Sequence, residues 1–422
     1  MNYKGKKLLI LGGISHMIDI VNTAKKMGIY TIVTDYSPDS PAKAIADKSY
    51  DVSTTDIDTL LEIAKMENID GVINAFEDLN VWIAEELSNK LELPFYAKKE
   101  QLEIITNKNL FKNYCRDNKV PVIEEYFVGQ TLTAKDVEKI KFPAIIKPVD
   151  SYGSRGIAVC YSEEELRKNY EIAIKFSKSK EVIIEKFINS DYGVEMYYTI
   201  QDKEIILSAM TDRYVYKQKD DLPPLPIATL YPSQHLDKYL DTIDKDVRKM
   251  LKKMQLENGV VLIQALVEEE SFYIYEMAYR LTGEQHYQIV EKQTGINLLE
   301  MMIELALGGG TKKFNISAYD NSYIKYPACN LSVLLGEGKI DRIEGIEILD
   351  TLPEVISYIQ LANLGDVIKE SGNYSQMFIR INIAAENKER LNAVIEKINK
   401  NLKVISVNGE NMIIKTFTYK GV

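Results

Sequence analysis

The sequence of 422 residues contains little cysteine, and its three cysteines, Cys115, Cys160 and Cys329, lie far apart. That spacing excludes a disulfide framework and a cysteine-based metal site, and it favours a reducing compartment. No apolar run approaches the roughly 18–20 residues that a membrane-spanning helix needs. The formal net charge of −10 argues against nucleic acid as the main partner. We therefore predict a cytoplasmic protein that binds neither membranes nor nucleic acid.

Strands and helices alternate over residues 1–96, which we predict to form a βαβ domain. The strand segments KLLILGG, IYTIVTDY and DGVINAF are nearly continuous apolar runs, and segments with helical spacing follow each of them. This pattern predicts a parallel sheet covered on both faces. Gly12, Gly13 and Asp35 end the first two strands as in a dinucleotide-binding unit, but GGISHM lacks the third glycine of that motif. A tight turn at the edge of the sheet is the alternative.

From residue 97 the strands become shorter, and the fold class changes from α/β to α+β. We predict a middle domain of mainly antiparallel sheets over residues 97–325, with a lid subdomain at about 121–188. A small α+β domain follows over residues 326–422. Residues 217–228, KQKDDLPPLPIA, are charged and proline-rich, which predicts a surface loop.

A single lysine, Lys147, ends the apolar strand in PAIIKPVDSYGSRGI. A desolvated lysine costs free energy unless it has an anionic partner such as a phosphate. The loop that follows offers backbone N–H groups at glycines, which approach phosphates closely, and side-chain donors. Its candidate phosphate ligands are Ser151, Gly153, Ser154 and Gly156. A glycine turn in an ordinary hairpin is the alternative.

The next strand, VIIEKFI, has the features of an adenine hinge. An extended hinge offers backbone N–H and C=O groups to the purine edge. Glu185 or Lys186 would contact the amino group, and Phe187 and Ile188 would contribute the backbone edge and an apolar wall. A half-exposed strand with alternating charges is the alternative.

The segment VVLIQALVEEESFYIYEMAYR predicts a hairpin. Strict alternation along its second strand places Glu276 and Arg280 on one face, and Tyr273, Tyr275, Met277 and Tyr279 on the other. A carboxylate and a guanidinium so placed suit Mg²⁺ and a phosphoryl group. If the hairpin pairs Gln264 with Glu276, the two share that site. A hydrogen bond between them without a metal is the alternative.

In their order along nearly the whole chain, these segments resemble the ATP-grasp superfamily, in its carboxylate–amine ligase branch with a biotin-carboxylase-like layout. TNKNLFKNYCRDNKVPV resembles the helix whose lysine, here Lys108, reaches the nucleotide phosphates. PAIIKPVDSYGSRGI resembles the second lysine with its phosphate loop, and IIEKFI resembles the adenine hinge. Glu195 matches an acidic position near the ribose, and EMAYR resembles the Glu-x-Asn-x-Arg metal strand.

This resemblance implies a ligase that uses ATP to phosphorylate a carboxylate and then joins the acylphosphate to an amine, releasing ADP and phosphate. The implied cofactors are ATP and Mg²⁺, with Mn²⁺ as a substitute, and the substrates are small carboxylates and amines such as amino acids. Lys147, Glu276 and Arg280 would be catalytic, and Glu276 and Gln264 would hold the metal. A homodimer is implied as well, since related ligases are often dimers.

Two positions depart from the family's pattern. Gln264 stands where a metal-binding glutamate is usual, and Ala278 stands where asparagine is usual. The nearby Glu284 is a candidate replacement for the missing carboxylate, and we also predict that it borders the substrate with Arg213 and His286. Two alternatives stay open because of these departures. One is a carbamoyl-phosphate-synthase-like or biotin-carboxylase-like enzyme, and the other is an ATP-binding regulatory protein that has lost catalysis.

Overall fold

A four-stranded parallel sheet opens the chain in the computed structural model, which describes residues 3–150, 156–188, 190, 192–218, 224–269, 271–320, 324, 326–370 and 372–419. The elements of this unit are β1 (Lys7–Leu11), α1 (Met17–Lys26), β2 (Tyr30–Thr34), β3 (Lys48–Tyr50), α2 (Ile57–Glu67), β4 (Gly71–Ile73) and α3 (Asp78–Lys90). The strand order is β3-β2-β1-β4. Leu8 and Ile10 pack with α1, whereas Leu9 and Leu11 pack with α2 and α3. The predicted parallel sheet with two covered faces is therefore confirmed.

Two consecutive helices follow the N-terminal unit. They are α4 (Lys99–Thr106) and α5 (Lys108–Asp117). Between them, the Asn107 side chain accepts hydrogen bonds from the backbone N–H groups of Asn109 and Leu110. Such a cap satisfies N–H groups that have no partner within a helix, so Asn107 begins α5 and places Lys108 in its first turn.

An antiparallel sheet over residues 125–186 forms a unit that we call the lid. Its elements are β5 (Glu125–Gly129), α6 (Ala134–Val137), β6 (Ala144–Pro148), β7 (Ala158–Cys160), α7 (Glu163–Phe176) and β8 (Val182–Lys186). The strand order is β5-β8-β6-β7. Before β7, Gly156 has a φ of +79°, and a Cβ added there would lie 2.9 Å from Cγ of Pro148. Both facts explain why this position is glycine.

A nine-stranded sheet forms the body of the molecule. The elements of the middle region are β9 (Tyr192–Gln201), β10 (Glu204–Tyr216), β11 (Leu225–Tyr231), α8 (Leu236–Thr242), α9 (Asp244–Lys253), β12 (Gly259–Glu268), β13 (Ser271–Ala278), α10 (His286–Thr294) and α11 (Leu298–Ala306). The remaining elements are β14 (Ala328–Leu335), β15 (Gly338–Glu344), β16 (Val355–Gln360), β17 (Val367–Ile368), β18 (Met377–Ala384), α12 (Lys388–Asn401), β19 (Lys403–Ser406) and β20 (Ile413–Lys415). None of the helices in the described ranges is both long and apolar enough to cross a membrane.

The large sheet runs in the order β13-β12-β9-β10-β11-β14-β18-β16, and β20 pairs with β14 beside this path. The predicted hairpin β12–β13 is present, and β9 and β10 form a second one. A three-stranded sheet, β17-β15-β19, lies outside it. The large sheet continues across residue 326, so the domain boundary that we place there stays a prediction.

The prediction of a surface loop over residues 217–228 is wrong for its last four residues. Residues 225–228 begin β11, which is buried between β10 and β14. Residues 219–223 lie outside the described part of the chain. A proline is tolerated at 226 because β14 pairs with β11 only from Ala228 onward, and because the β10–β11 register shifts between Tyr214 and Val215.

The N-terminal sheet is fastened to the body through Asp19. Its Oδ2 accepts hydrogen bonds from the side chains of Gln285 (2.8 Å), Tyr287 (2.5 Å) and Gln288 (2.7 Å). On the same side, a Cβ added to Gly71 would lie 2.1 Å from the carbonyl oxygen of Ala306. These contacts hold the N-terminal unit against α10 and α11, next to the end of β13.

Candidate functional site

Two buried charges, Lys147 on β6 and Glu185 on β8, form an ion pair within the lid. Burial lowers the pKa of Lys147, and Lys112 and Lys108 lower it further, whereas Glu185 acts in the opposite direction. Burial would raise the pKa of Glu185, but Lys147 and Lys112 outweigh it and lower that pKa. Cations thus predominate here, and an anionic ligand would stabilise the charged form of Lys147.

The two lysines that the sequence predicts at the phosphates, Lys108 on α5 and Lys147 on β6, lie near each other. Lys108 is half-buried in the first turn of α5 and close enough to influence the pKa of Lys147. Of the predicted phosphate loop, Ser151, Gly153 and Ser154 lie outside the described residues. Their role in phosphate binding stays a prediction.

The predicted adenine hinge, residues 185–188, is anchored on both sides. The backbone N–H groups of Lys186 and Phe187 donate to the carbonyl oxygens of Glu124 and Pro143, at 2.9 and 3.3 Å. The Lys186 ammonium pairs with Glu268, and it lies 5.9 Å from the centre of the Tyr273 ring. Ile188 is buried. These contacts place the end of β8 against the tip of the β12–β13 hairpin.

A row of polar side chains crosses one face of the nine-stranded sheet; we call it the polar row. Gln264 pairs in register with Glu276 on one neighbouring strand and with Glu195 on the other, which confirms the predicted pairing within the hairpin. On the next strand the register partner of Glu195 is Thr211, and Arg213 lies two residues beyond it, opposite Thr229. A ladder of polar residues continues onto the C-terminal strands. In order, the row consists of Glu276, Gln264, Glu195, Arg213, Thr229, Asn330 and Asn382.

Glu195 is the buried carboxylate of the polar row. It accepts hydrogen bonds from Gln264 Nε2 (2.7 Å) and Tyr197 Oη (2.6 Å), and Arg213 Nε lies 3.3 Å from its Oε1. Burial and the neighbouring Glu284 raise the pKa of Glu195 to about 7, while Arg213 opposes them. The group therefore titrates near neutral pH. Its predicted ribose contact stays a prediction, although both carboxylate oxygens already accept hydrogen bonds.

The middle of the polar row combines charges of both signs. Nε of Arg213 and Nη2 of Arg380 each lie 3.8 Å from Oε1 of Glu284. Thr229 Oγ1 donates to Oε2 of the same carboxylate at 3.4 Å. Arg380, on β18, is 4% exposed and is absent from the sequence-based predictions. Its signal in the sequence is an arginine inside the apolar strand FIRINIAAE. Two guanidinium groups beside the carboxylates of Glu284 and Glu195 can bind a substrate that carries both charges.

His286 lies beneath this cluster. Its ring stacks on Tyr197 with centroids 4.0 Å apart, and burial lowers its pKa to about 3, so it is neutral. Its Nδ1 lies 3.3 Å from Oγ1 of Thr282, and its Nε2 has no hydrogen-bond partner among the residues described. The ring packs against Tyr197. The predicted contact of His286 with substrate stays a prediction.

The prediction of strict alternation along β13 is wrong. The register shifts between Gln264 and Ala265, which pair with Glu276 and Ile274 and leave Tyr275 as an extra residue. Such a bulge reverses the faces of the residues beyond it. One core cluster accordingly contains Phe272, Ile274, Met277 and Tyr279. Tyr273 and Tyr275 therefore share the face of Glu276.

Arg280 is bound by the N-terminal unit. Its Nε and Nη2 contact the two carboxylate oxygens of Asp78, the first residue of α3, at 2.6 and 2.8 Å. A bidentate pair of this kind orients the guanidinium strongly. To contact a phosphoryl group, Arg280 must either divide its N–H donors between Asp78 and the phosphoryl oxygens or break its hydrogen bonds to Asp78.

Glu276 is exposed and is the candidate ligand for a divalent cation. Within the described residues, no three His, Cys, Asp or Glu side chains form a metal cluster. Mg²⁺ bound with phosphates needs only one or two protein carboxylates, because phosphate and water oxygens complete its octahedron. Glu276 and the amide oxygen of Gln264 thus fit an ion that arrives with phosphates.

The raised pKa of Glu195 leads to a prediction for stability. The usual pKa of a glutamate is 4.5, so the folded protein favours the protonated form of Glu195. The contribution of this group to stability is complete below about pH 4.5, and it is lost as the pH rises through about 7. Glu195→Gln keeps the group neutral. The difference in free energy of unfolding between Glu195→Gln and the unsubstituted protein should therefore shift by about 2 kcal/mol in favour of the variant from pH 5 to pH 8. Urea unfolding at both pH values measures this, with the exposed Glu171→Gln as control; an equal difference at both pH values would contradict it.

Two family models match the sequence. Residues 107–313 match the carbamoyl-phosphate synthase L chain, ATP binding domain, and residues 8–92 match the PylC-like, N-terminal domain. A formate-dependent phosphoribosylglycinamide formyltransferase from Sulfurisphaera tokodaii is 29% identical over 248 residues. These residues are 57% of this chain and span 60% of that protein.

Solved structures share the fold over nearly the whole chain. An L-amino acid ligase from Bacillus licheniformis superposes with a TM-score of 0.78 at 18% identity, covering 96% of this chain and 99% of that one. The biotin carboxylase domain of Hydrogenobacter thermophilus 2-oxoglutarate carboxylase, a dimer in complex with MgADP, ADP and bicarbonate, gives 0.76 at 17% identity, with 96% and 91% covered. The predicted combination of α/β and α+β architecture is confirmed.

Proposed function

We propose, since the chain belongs to the ATP-grasp superfamily in its carboxylate–amine ligase branch, that it joins a carboxylate to an amine at the expense of ATP. The observation that carries this proposal is the polar row. It brings an exposed carboxylate, Glu276, into line with the buried Glu195 and with Arg213 on one sheet, and Glu284 reaches Arg213 from the segment between β13 and α10. A reaction between a phosphoryl group and a substrate carboxylate needs a carboxylate that holds the metal ion beside charged groups that bind the substrate.

At the nucleotide end, Lys147 and Lys108 would bind the phosphates of ATP. The positive charge gathered here supports this role, since burial lowers the pKa of Lys147 and the neighbouring Lys112 and Lys108 lower it further. Bound Mg²⁺, held by Glu276 and Gln264 together with the phosphates, would neutralise negative charge on the transferring group. The residues of the lid would exclude water from the labile acylphosphate.

The reaction would proceed in two steps. A carboxylate oxygen of the substrate attacks the γ-phosphorus, the bond to the β-phosphate oxygen breaks, and ADP leaves. The amine nitrogen then attacks the acyl carbon, the bond to the phosphate breaks, and an amide forms. The amine must give up protons, and Glu195, with a pKa of about 7, suits the task of accepting one near neutral pH. Arg280 would stabilise the charge that develops on the acylphosphate.

Amino acids are the substrates that the middle of the polar row supports best. Arg213 and Arg380 suit a carboxylate, and Glu284 suits an ammonium group. The fold shared with an L-amino acid ligase is consistent with this choice. We also propose a homodimer, as in the carboxylase domain, and a cytoplasmic location, in keeping with the buried, unpaired cysteines.

The proposal is tested by following oxygen. The protein is incubated with ATP, Mg²⁺ and pairs of amino acids, both labelled with ¹⁸O in their carboxylates. We expect ADP and phosphate in equal amounts, and one ¹⁸O atom in each phosphate, because the attacking oxygen leaves with the phosphoryl group. Lys147→Met, prepared in parallel, excludes a contaminating ATPase. AMP and pyrophosphate as products, or phosphate without the label, would contradict the proposal.

The alternatives give other results in the same assay. A carbamoyl-phosphate-synthase-like or biotin-carboxylase-like enzyme would release phosphate with bicarbonate and no amino acid. A regulatory protein would bind ATP without hydrolysing it. The neutral Gln264, hydrogen-bonded to Glu195, is the observation that favours the regulatory alternative.

A further inference from the structure

Lys112, in the middle of α5, is a fully buried lysine that the mechanism above does not use. Its ammonium contacts Oε2 of Glu185 and lies 3.0 Å from Oε1 of Glu125. A buried ammonium is costly unless such partners compensate it, and breaking a buried pair typically costs several kcal/mol. The position therefore requires both carboxylates.

The two carboxylates that Lys112 contacts are opposed within the lid. Glu125 on β5 and Glu185 on β8 are partners in register, and like charges directly opposite each other destabilise a sheet. The ammonium that separates them comes from α5, which lies outside the lid. The contact with α5 thus stabilises the edge of the lid formed by β5 and β8.

α5 presents a stripe of cations to the lid. Lys108, Lys112 and Arg116 are spaced by four residues, which puts them on one side of a helix. Arg116 pairs with the second oxygen of Glu125, Lys112 with both glutamates, and Lys108 influences Lys147. The stripe therefore contacts strands β5 and β8 and approaches β6.

Glu185 connects this stripe to the phosphate-binding lysine. One of its oxygens contacts Lys112 and the other contacts Lys147. The position of the Lys147 ammonium is therefore set through Glu185 by a residue of α5. Because Lys112 is 0% exposed, a ligand cannot reach it without displacing the glutamates.

We propose that Lys112 is a positioning residue, which ties the lid to α5 through Glu125 and Glu185 and thereby fixes Lys147 for nucleotide binding. The inference rests on the proposed function in one respect, namely that Lys147 binds a nucleotide phosphate. The ion pairs of Lys112 with Glu125 and Glu185 are present in the protein without a nucleotide.

The test replaces Lys112 with methionine, which has a similar length and no charge. Titration of the full chain with MgADP by calorimetry should show a dissociation constant raised about tenfold or more, because Lys147 is no longer held in place. Hydrogen exchange without nucleotide should be faster in β5 and β8 and unchanged in β1 and β2. The exposed lid lysine Lys168→Met is the matched control.

A second variant tests whether weaker binding in Lys112→Met results only from destabilisation of the fold. In Lys112→Met/Glu125→Gln, only Glu185 remains charged, so the two carboxylates no longer repel each other. The ion pairs between Lys112 and the lid are still missing. MgADP affinity should stay weakened and exchange in β5 and β8 should stay fast. If the double variant bound MgADP as tightly as the unsubstituted protein, Lys112 would only neutralise charge and the proposal would be overturned. Failure of the unsubstituted protein to bind MgADP would contradict the proposed function, and the exchange rates would still decide the role of Lys112.

Discussion

Lys147→Met should lower kcat/KM for ATP by about 30-fold to 1000-fold, equivalent to about 2–4 kcal/mol of transition-state stabilisation. Lys147 is buried and its pKa is lowered by that burial, so its positive charge is weakly screened by water. A donor in such a place interacts strongly with a phosphate and needs little reorganisation during the reaction. Methionine preserves most of the side-chain volume and removes the charge.

The measurement is ATP turnover under saturating amine and carboxylate. The exposed lysine Lys141, which precedes the same strand, supplies the control Lys141→Met, whose kinetics should be unchanged. Because Lys147 is one partner of a buried ion pair, the substitution also lowers the free energy of unfolding, so turnover is compared at a temperature at which both proteins are folded. Turnover close to that of the unsubstituted protein would remove Lys147 from the mechanism.

Glu276→Gln should reduce turnover by a similar factor, about 10²–10³-fold, through loss of the metal. Gln264, its partner across the hairpin, is neutral, so Glu276 carries the charge with which the hairpin would hold a divalent cation. The apparent Mg²⁺ requirement should rise, because phosphates alone then hold the ion. Since Glu276 is exposed, the substitution leaves the core intact.

Titration with Mg²⁺ at fixed ATP measures this prediction. Glu269→Gln, an exposed change in the turn of the same hairpin, is the control and should leave the Mg²⁺ dependence unaltered. An unchanged Mg²⁺ dependence in Glu276→Gln would place the ion elsewhere and would make Glu284 or Glu195 the next candidates.

Local patterns predicted much of this fold. The alternating segments of residues 1–96 predict the parallel sheet, and the acidic turn predicts the β12–β13 hairpin. The turn alone would place Gln264 opposite Tyr275, and the bulge makes Glu276 its partner instead. The same arms carry the extra residue Tyr275, which alternation cannot reveal, since a bulge depends on the neighbouring strand. β11 was missed for a related reason: Pro226 excludes a central strand only where both edges are paired, and here one edge is unpaired at that residue.

The candidate site was less accessible to sequence reasoning. Lys147 and Glu185 lie 38 positions apart, and each ends an apolar strand that marks it. Lys112 belongs to a polar helix, and the four-residue spacing from Lys108 to Arg116 shows a charged side without showing what it faces. Arg380 and Asp78 acquire their roles only through packing between distant parts of the chain, which no local period encodes.

The polar row places successive chemical tasks on successive strands of one sheet, with about one side chain per strand. Under the proposed function, exchange of a residue on β10 or β18 would alter which acid is recognised and would leave β13 and the lid unchanged. An ancestral enzyme built in this way could have diversified its substrates by single replacements at one end of the sheet. Phosphoryl chemistry at the other end would have been inherited without change.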